Sequence, residues 1–142
     1  MDDKLIMEVS VEIDAAQISL LKSSAGEVTM IPFSGTVTGE LFHGQILPGG
    51  VDTQTVDRNG VRYMSARYML EGIDKTGEQC RIYIENNGWF PSEMIMPFKT
   101  IPTFYTDSKA LADYLHSNKF RTEGHSREGG VTIKVFEICS SS

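Results

Sequence analysis

The chemistry this sequence offers rests on three charged side chains, Asp52, Arg67 and Glu85. Two turn signals bring them into one row. Asn59-Gly60 has the composition of a two-residue type I′ loop, a turn that needs positive φ at both central positions. Closing the chain there sets Val56 opposite Tyr63, Gln54 opposite Ser65 and Asp52 opposite Arg67. A second hairpin that pairs Glu71 with Arg81 sets Met69 opposite Tyr83 and Arg67 opposite Glu85. Neighbouring strands lie roughly 4.8 Å apart, so charged heads in such a row reach one another. One cation between two acids leaves a surplus carboxylate. Burial would raise its pKa and make Asp52 or Glu85 a general base, suited to proton abstraction beside a carbonyl in an isomerisation or cyclisation. Arg67 would grip a carboxylate or carbonyl of a ligand. Tyr83, Glu71 and Trp89 are the further ligand-binding candidates.

The elements that must position this row read as β-strands almost throughout. Leu5, Met7, Val9, Val11 and Ile13 alternate with polar residues, the period of a half-buried strand. Between residues 28 and 47 a β-rich stretch is broken by Pro32, Gly35, Gly39 and Gly44, as in sheets that bend into barrels. The run ILPGGVD (46–52) stops an apolar segment and restarts it with Asp52, so the corner sets the register that delivers the acid. A further turn falls within 73–79, and VTIKVFEI (131–138) reads as the final strand. Only TDSKALADYLHS (106–117) reads as helix. The expected fold is all-β, a single antiparallel barrel of about eight strands with one short helix, occupying 1–142 as one domain.

Composition narrows the function. The chain has 142 residues, 40% hydrophobic and 23% charged, as in ordinary globular proteins. A net charge of −6 with scattered lysines and arginines argues against a nucleic-acid partner. The acidic N-terminus does not resemble a signal peptide, and no apolar run is long enough to span a membrane. A cytoplasmic protein with no membrane partner is expected, and Cys80 and Cys139 are expected to be thiols. There is no P-loop, HExxH, CxxC or GxSxG, and His43, His116 and His125 are far apart, so no cofactor and no metal is called for.

Two readings of the charged row compete. In one, Met64, Ala66, Tyr68, Leu70, Ile82 and Ile84 fill the barrel, and Asp52, Arg67, Glu71, Arg81 and Glu85 form a solvated ladder outside. In the other, Asp52 and Arg67 line the interior. Alternation alone favours the ladder.

The runs FSGTVTGELFHGQILPGGVD, SARYMLEG, RIYIENNG and KTIPTF resemble domain-of-unknown-function family 3237, also called uncharacterised protein family 0311. The resemblance extends from about Ile31 to the last strand, and Pro-Gly-Gly-x-Asp is its specific part. It implies a compact β-barrel, often multimeric, with no settled general activity. Its marks fall on Gly39, Gly44, Pro48, Gly49, Gly50, Asp52, Arg67, Tyr68 and Pro102, while Thr53 departs from an expected aromatic. Because marks fall on both Asp52 and Arg67, the resemblance tips the reading toward a pair inside the barrel. Tyr68, Met64 and Ile84 would then point outward, and covering them calls for a homodimer.

The functional expectation is a barrel that binds an unknown small molecule, either as a cofactor-independent acid/base enzyme or as a carrier or sensor of an apolar or aromatic ligand. In the second case Trp89, Phe90, Met94 and Met96 offer an adaptable lid. A structural or interaction domain with a filled interior is the third alternative.

Overall fold

The computed structural model describes residues 2–91 and 93–139. Ten strands follow one another: β1 (Lys4–Ile13), β2 (Ser19–Ser23), β3 (Gly26–Thr38), β4 (Phe42–Ile46), β5 (Val51–Val56), β6 (Arg62–Asp74), β7 (Gln79–Phe90), β8 (Phe98–Thr106), β9 (Phe120–Arg127) and β10 (Gly130–Glu137). All pair antiparallel, and the β1–β3 pairing closes the sheet on itself.

The ten strands occupy eight positions around the barrel, because two positions hold interrupted strands. β1 and β2 lie successively along one side of β3, separated by a 3₁₀ turn at Ala15–Gln17. β4 and β5 lie successively along its other side, separated by Leu47-Pro48-Gly49-Gly50. From Gln45 to Val51 the chain advances six positions while β3 advances four, from Thr36 back to Pro32. The Pro-Gly-Gly corner is therefore a two-residue bulge within one strand position, with Gly49 at φ +109°. An even number of extra residues leaves the inward parity unchanged, so Ile46 before the break and Asp52 after it both face the interior.

The interior is filled by the even-numbered residues of β6 and β7. Met64, Ala66, Tyr68 and Leu70 alternate with exposed or half-buried neighbours, and Ile82 and Ile84 continue the face. This is the ladder arrangement for Arg67, Glu71, Arg81 and Glu85, though not for Asp52, which is buried, and it corrects the expectation that Tyr68, Met64 and Ile84 point outward. The apolar patch from which a homodimer was expected is the barrel core, and it needs no partner to cover it.

One end of the barrel is plugged. Leu111 and Leu115 are buried there with Phe120, and Phe120 packs edge-on against Phe104 and Tyr114. The helix, expected within 106–117, spans only α1 (Ala112–Leu115). The Ser108 hydroxyl donates to Asp74 at 2.7 Å and accepts from the Leu111 amide, tying the preceding turn to the β6–β7 hairpin. The last strand falls where the alternation placed it, at Gly130–Glu137.

Candidate functional site

Asp52 sits opposite Ala66, not Arg67. The cause is the turn. Asp57 and Val61 form the closing pair, and the loop is Arg58-Asn59-Gly60, three residues with Gly60 at φ +82°. The Asp57 carboxylate accepts from the amides of Asn59 (2.9 Å) and Val61 (3.0 Å), holding a turn that ends in a left-handed glycine. A three-residue loop in place of a two-residue one moves the register by one, and that sends Asp52 and Arg67 to opposite faces. The expected Asp52–Arg67 pair is thereby corrected. The second hairpin forms in the expected register, with Arg67 opposite Glu85, Met69 opposite Tyr83 and Glu71 opposite Arg81.

The remaining sequence-derived candidates therefore gather on the outside. Arg67 meets Glu85 at 3.0 Å and Arg81 meets Glu71 at 2.9 Å, with both arginines more than half exposed. Tyr83 packs against Tyr105 across the same outer face. Trp89 is exposed and stands opposite Tyr63. It lines a shallow outer groove with Ile101, Ser65, Asn87 and Arg67. The structure thus places Arg67, Glu85, Glu71 and Tyr83 on one outer face, in separate pairs, and Asp52 inside.

Asp52 is only 7% exposed, and it faces an interior cavity of about 50 Å³ at the barrel end opposite α1. The walls are apolar, formed by Ile31, Phe33, Met64, Ala66, Phe98 and Ile133 among others. Asn86 and Tyr68 are the other polar residues of the lining. The phenol of Tyr68, fully buried, is pushed up in pKa by desolvation and stays neutral. Behind Asn86 a buried polar chain runs through Thr122 to Thr100, with the Thr122 hydroxyl donating to Asn86 Oδ1 at 3.3 Å.

The two carboxylate oxygens of Asp52 are not equivalent. Oδ2 accepts from Gln54 Nε2 at 2.8 Å. Oδ1 is buried and has no hydrogen-bond partner among the described residues. Burial dominates the electrostatics and raises the Asp52 pKa; the Gln54 hydrogen bond and the positive charge of Arg62 only partly offset it. A carboxyl of this kind, held toward neutrality beside open volume, can hydrogen-bond a ligand as an acid or remove a proton from it as a base.

Sequence reasoning missed Gln54, Arg62 and Asn86. The missing signal was present in the turn itself. Asp57-Arg58-Asn59-Gly60 has the same Asp-x-x-Gly form as Asp74-Lys75-Thr76-Gly77. There Asp74 accepts from the Thr76 and Glu78 amides, and Gly77 has φ +89°. Reading both as three-residue loops places Gln54, Arg62 and Asp52 on the inner face.

No group of three or more potential metal ligands occurs among the described residues. No helix of the described residues is long and apolar enough to cross a membrane. Cys80 and Cys139 are free thiols.

The comparisons with known proteins agree with the barrel and with the resemblance. Residues 3–138 match the family model described as protein of unknown function DUF3237. A UPF0311 protein of Clostridium acetobutylicum is 34% identical over 119 residues, 72% of this chain and 73% of that protein. A crystal structure of a protein with unknown function from C. acetobutylicum superposes with a TM-score of 0.79 at 32% identity, covering 98% of this chain and 100% of that one. A conserved protein of unknown function from Rhodopseudomonas palustris gives 0.73 at 25% identity, with 97% of each chain covered. A beta-barrel like protein of Acinetobacter baumannii gives 0.74 at 23% identity over 95% of this chain and 94% of that one, a likeness of fold alone.

Proposed function

The chain belongs to the DUF3237 family, and from that premise we propose that it is a small-molecule-binding barrel whose interior carboxyl, Asp52, is the polar contact for the ligand and its acid/base group. The observation that carries this reading is the buried Oδ1 of Asp52, without a partner and beside a cavity. Leaving a buried polar atom unmet costs roughly 1–3 kcal/mol, and a fold retains such a cost where a ligand supplies the missing hydrogen bond. The cavity has room for about one or two waters or the terminal group of an organic molecule. The ligand therefore inserts a small end.

Glu85 lies outside the barrel, so the two-carboxylate arrangement is replaced by a single titrating group. One carboxyl suffices to take a proton from one atom of a substrate and return it to another, the requirement of an isomerisation. Carriage of the same ligand without chemistry is the second reading. It is favoured by the apolar walls, which offer one anchor and no second titrating group besides the neutral Tyr68.

The test is a protein-observed NMR screen of small organic compounds with wild type and Ala66→Leu. Ala66 is buried in the cavity wall, and the added volume closes the space. Compounds should perturb the amides of Asp52, Ala66 and Asn86 in wild type and not in the variant. Hits that bind both proteins equally, or that map only to the Trp89 groove, would move the site to the outer surface. If Asp52→Asn binds a hit but does not turn it over, the acid/base reading stands. Turnover absent from wild type as well leaves carriage as the function.

A further inference from the structure

Asp52 is reached by a relay that fixes its orientation. Gln54, two residues along β5 and on the same inner face, spans the distance between Asp52 and Arg62. Its Nε2 donates to Asp52 Oδ2 at 2.8 Å, and its Oε1 accepts from an Arg62 Nη1 hydrogen at 2.9 Å. The order of this chain is not arbitrary. An arginine has only donors, so the atom of Gln54 that faces Arg62 must be its oxygen. The amide NH₂ group is then forced toward Asp52. Were the amide free to turn, its oxygen could as well face a protonated Asp52 and accept from it.

That direction decides where the Asp52 proton sits. An N–H donor at Oδ2 is best met by a carbonyl-type oxygen. A neutral Asp52 therefore keeps Oδ2 as its carbonyl oxygen and places the hydroxyl on Oδ1, the buried oxygen that has no partner among the described residues, on a side chain that lines the cavity. At the outer end of the relay Glu93 lines one pocket with Gln54 and Arg62 and is the further charged group beside it. The cavity lining from β1, β3, β7, β8 and β10 contributes no titratable side chain, and β6 contributes only Tyr68, besides Arg62 at the far end of the relay.

We propose that Arg62 is a positioning residue that orients the Gln54 amide, that Asp52 when protonated consequently presents its O–H on Oδ1, and that the site then takes ligands ending in a hydrogen-bond acceptor such as a small ketone or aldehyde carbonyl. This deepens the reading of Asp52 as the ligand contact and rests on it for the ligand class; the relay itself stands on the protein's own hydrogen bonds. The chemical consequence is directional. The O–H polarises a carbonyl oxygen by donating to it, and the carboxylate left after proton transfer lies beside the carbon next to that carbonyl.

The experiment follows the Asp52 carboxyl carbon by NMR through a pH titration in wild type, Arg62→Met, Arg62→Lys, Gln54→Leu and the Arg62→Met/Gln54→Leu double variant. If Arg62 acts through Gln54, Arg62→Met raises the Asp52 midpoint in the wild-type background. Most of that rise disappears in the Gln54→Leu background, where no amide remains to be oriented. Arg62→Lys, whose ammonium also only donates, should restore the wild-type midpoint. An equal rise in both backgrounds would mean that Arg62 acts by its charge alone, and the positioning role would be overturned. The ligand class is tested with acetone, an acceptor only, and methylammonium, a donor only. Acetone should give saturable shifts at Asp52 and Ala66 below the Asp52 midpoint and bind at least about tenfold more weakly above it, one order of magnitude being about 1.4 kcal/mol. Methylammonium binding in its place would refute the acceptor class while leaving Asp52 as the contact. If neither probe shifts these resonances, the class assignment falls, and the relay is still judged by the titration.

Discussion

Replacing Asp52 by Asn should make the protein more stable at neutral pH. In the folded state the carboxyl is enclosed by apolar walls, one oxygen lacks a partner, and burial raises its pKa above the ordinary 3.8. The unfolded chain exposes the same group to water at about that ordinary value. The folded state therefore binds the proton more tightly, and stability falls as pH rises from 3.8 through the folded-state midpoint. Below 3.8 both states are protonated and the penalty is absent; above the folded midpoint it is fully present. Asn keeps an oxygen for Gln54 Nε2 and removes the charge, although its NH₂ group inherits the unmet position at the cavity. The unmet position is common to both proteins, so only the removed charge contributes, and a net gain on the order of 1 kcal/mol is expected. For a chain of this size that raises Tm by about 2–4 °C. The assay is thermal unfolding of both proteins by circular dichroism at neutral pH and again below 3.8, where the difference should vanish. A variant less stable than wild type at neutral pH, or a difference that does not change with pH, would refute the assignment of Asp52 as a strained, functionally retained carboxyl.

Three other changes test neighbouring parts of the structure. A double-mutant cycle with Arg67→Ala and Glu85→Ala should give a coupling of at most about 1 kcal/mol, since Arg67 is largely exposed and such pairs are screened; a coupling several times larger would mean that the pair is enclosed. Asp57→Ala removes the acceptor for two loop amides and should lower stability by about 1 kcal/mol in urea unfolding, whereas no loss would show that the loop closes without it. Gly124→Ala places a methyl within 2.0 Å of the Phe98 ring, so Phe98 must shift. A loss of about 1–3 kcal/mol is expected, with shifted NMR signals from the Asp52 cavity that Phe98 lines.

Much of the barrel was legible because strand alternation is a strong signal when one face is buried. Alternation alone points to the inner face of Met64 to Leu70 that the structure shows, although the resemblance tips the expectation the other way, and Glu71 opposite Arg81 gives the observed β6–β7 register. The site was only half legible. Asn59-Gly60 alone has the form of a complete two-residue loop, whereas the Asp57 carboxylate holds a loop one residue longer. With a period of two, that single residue exchanges the inner and outer faces of β5 relative to β6. The resemblance points the same way, because marks on both Asp52 and Arg67 suggest one shared face. The two residues lie back to back across the sheet, one toward the cavity and one toward solvent. The Gln54–Arg62 relay and the Asn86–Thr122–Thr100 chain depend on three-dimensional closure of the barrel, and no local pattern carries them.

The reading of Asp52 as the reactive group inside the barrel is tested most directly by the titration midpoint of its carboxyl carbon in the wild-type protein. With aspartate labelled at the carboxyl carbon and the Asp52 signal assigned by its loss in Asp52→Asn, the midpoint should lie above 3.8 and should not move in Arg67→Ala or Glu85→Ala, whose side chains stand on the other face. A midpoint at or below 3.8, or one that follows Arg67, would place Asp52 in water or in an ion pair and contradict the interior site.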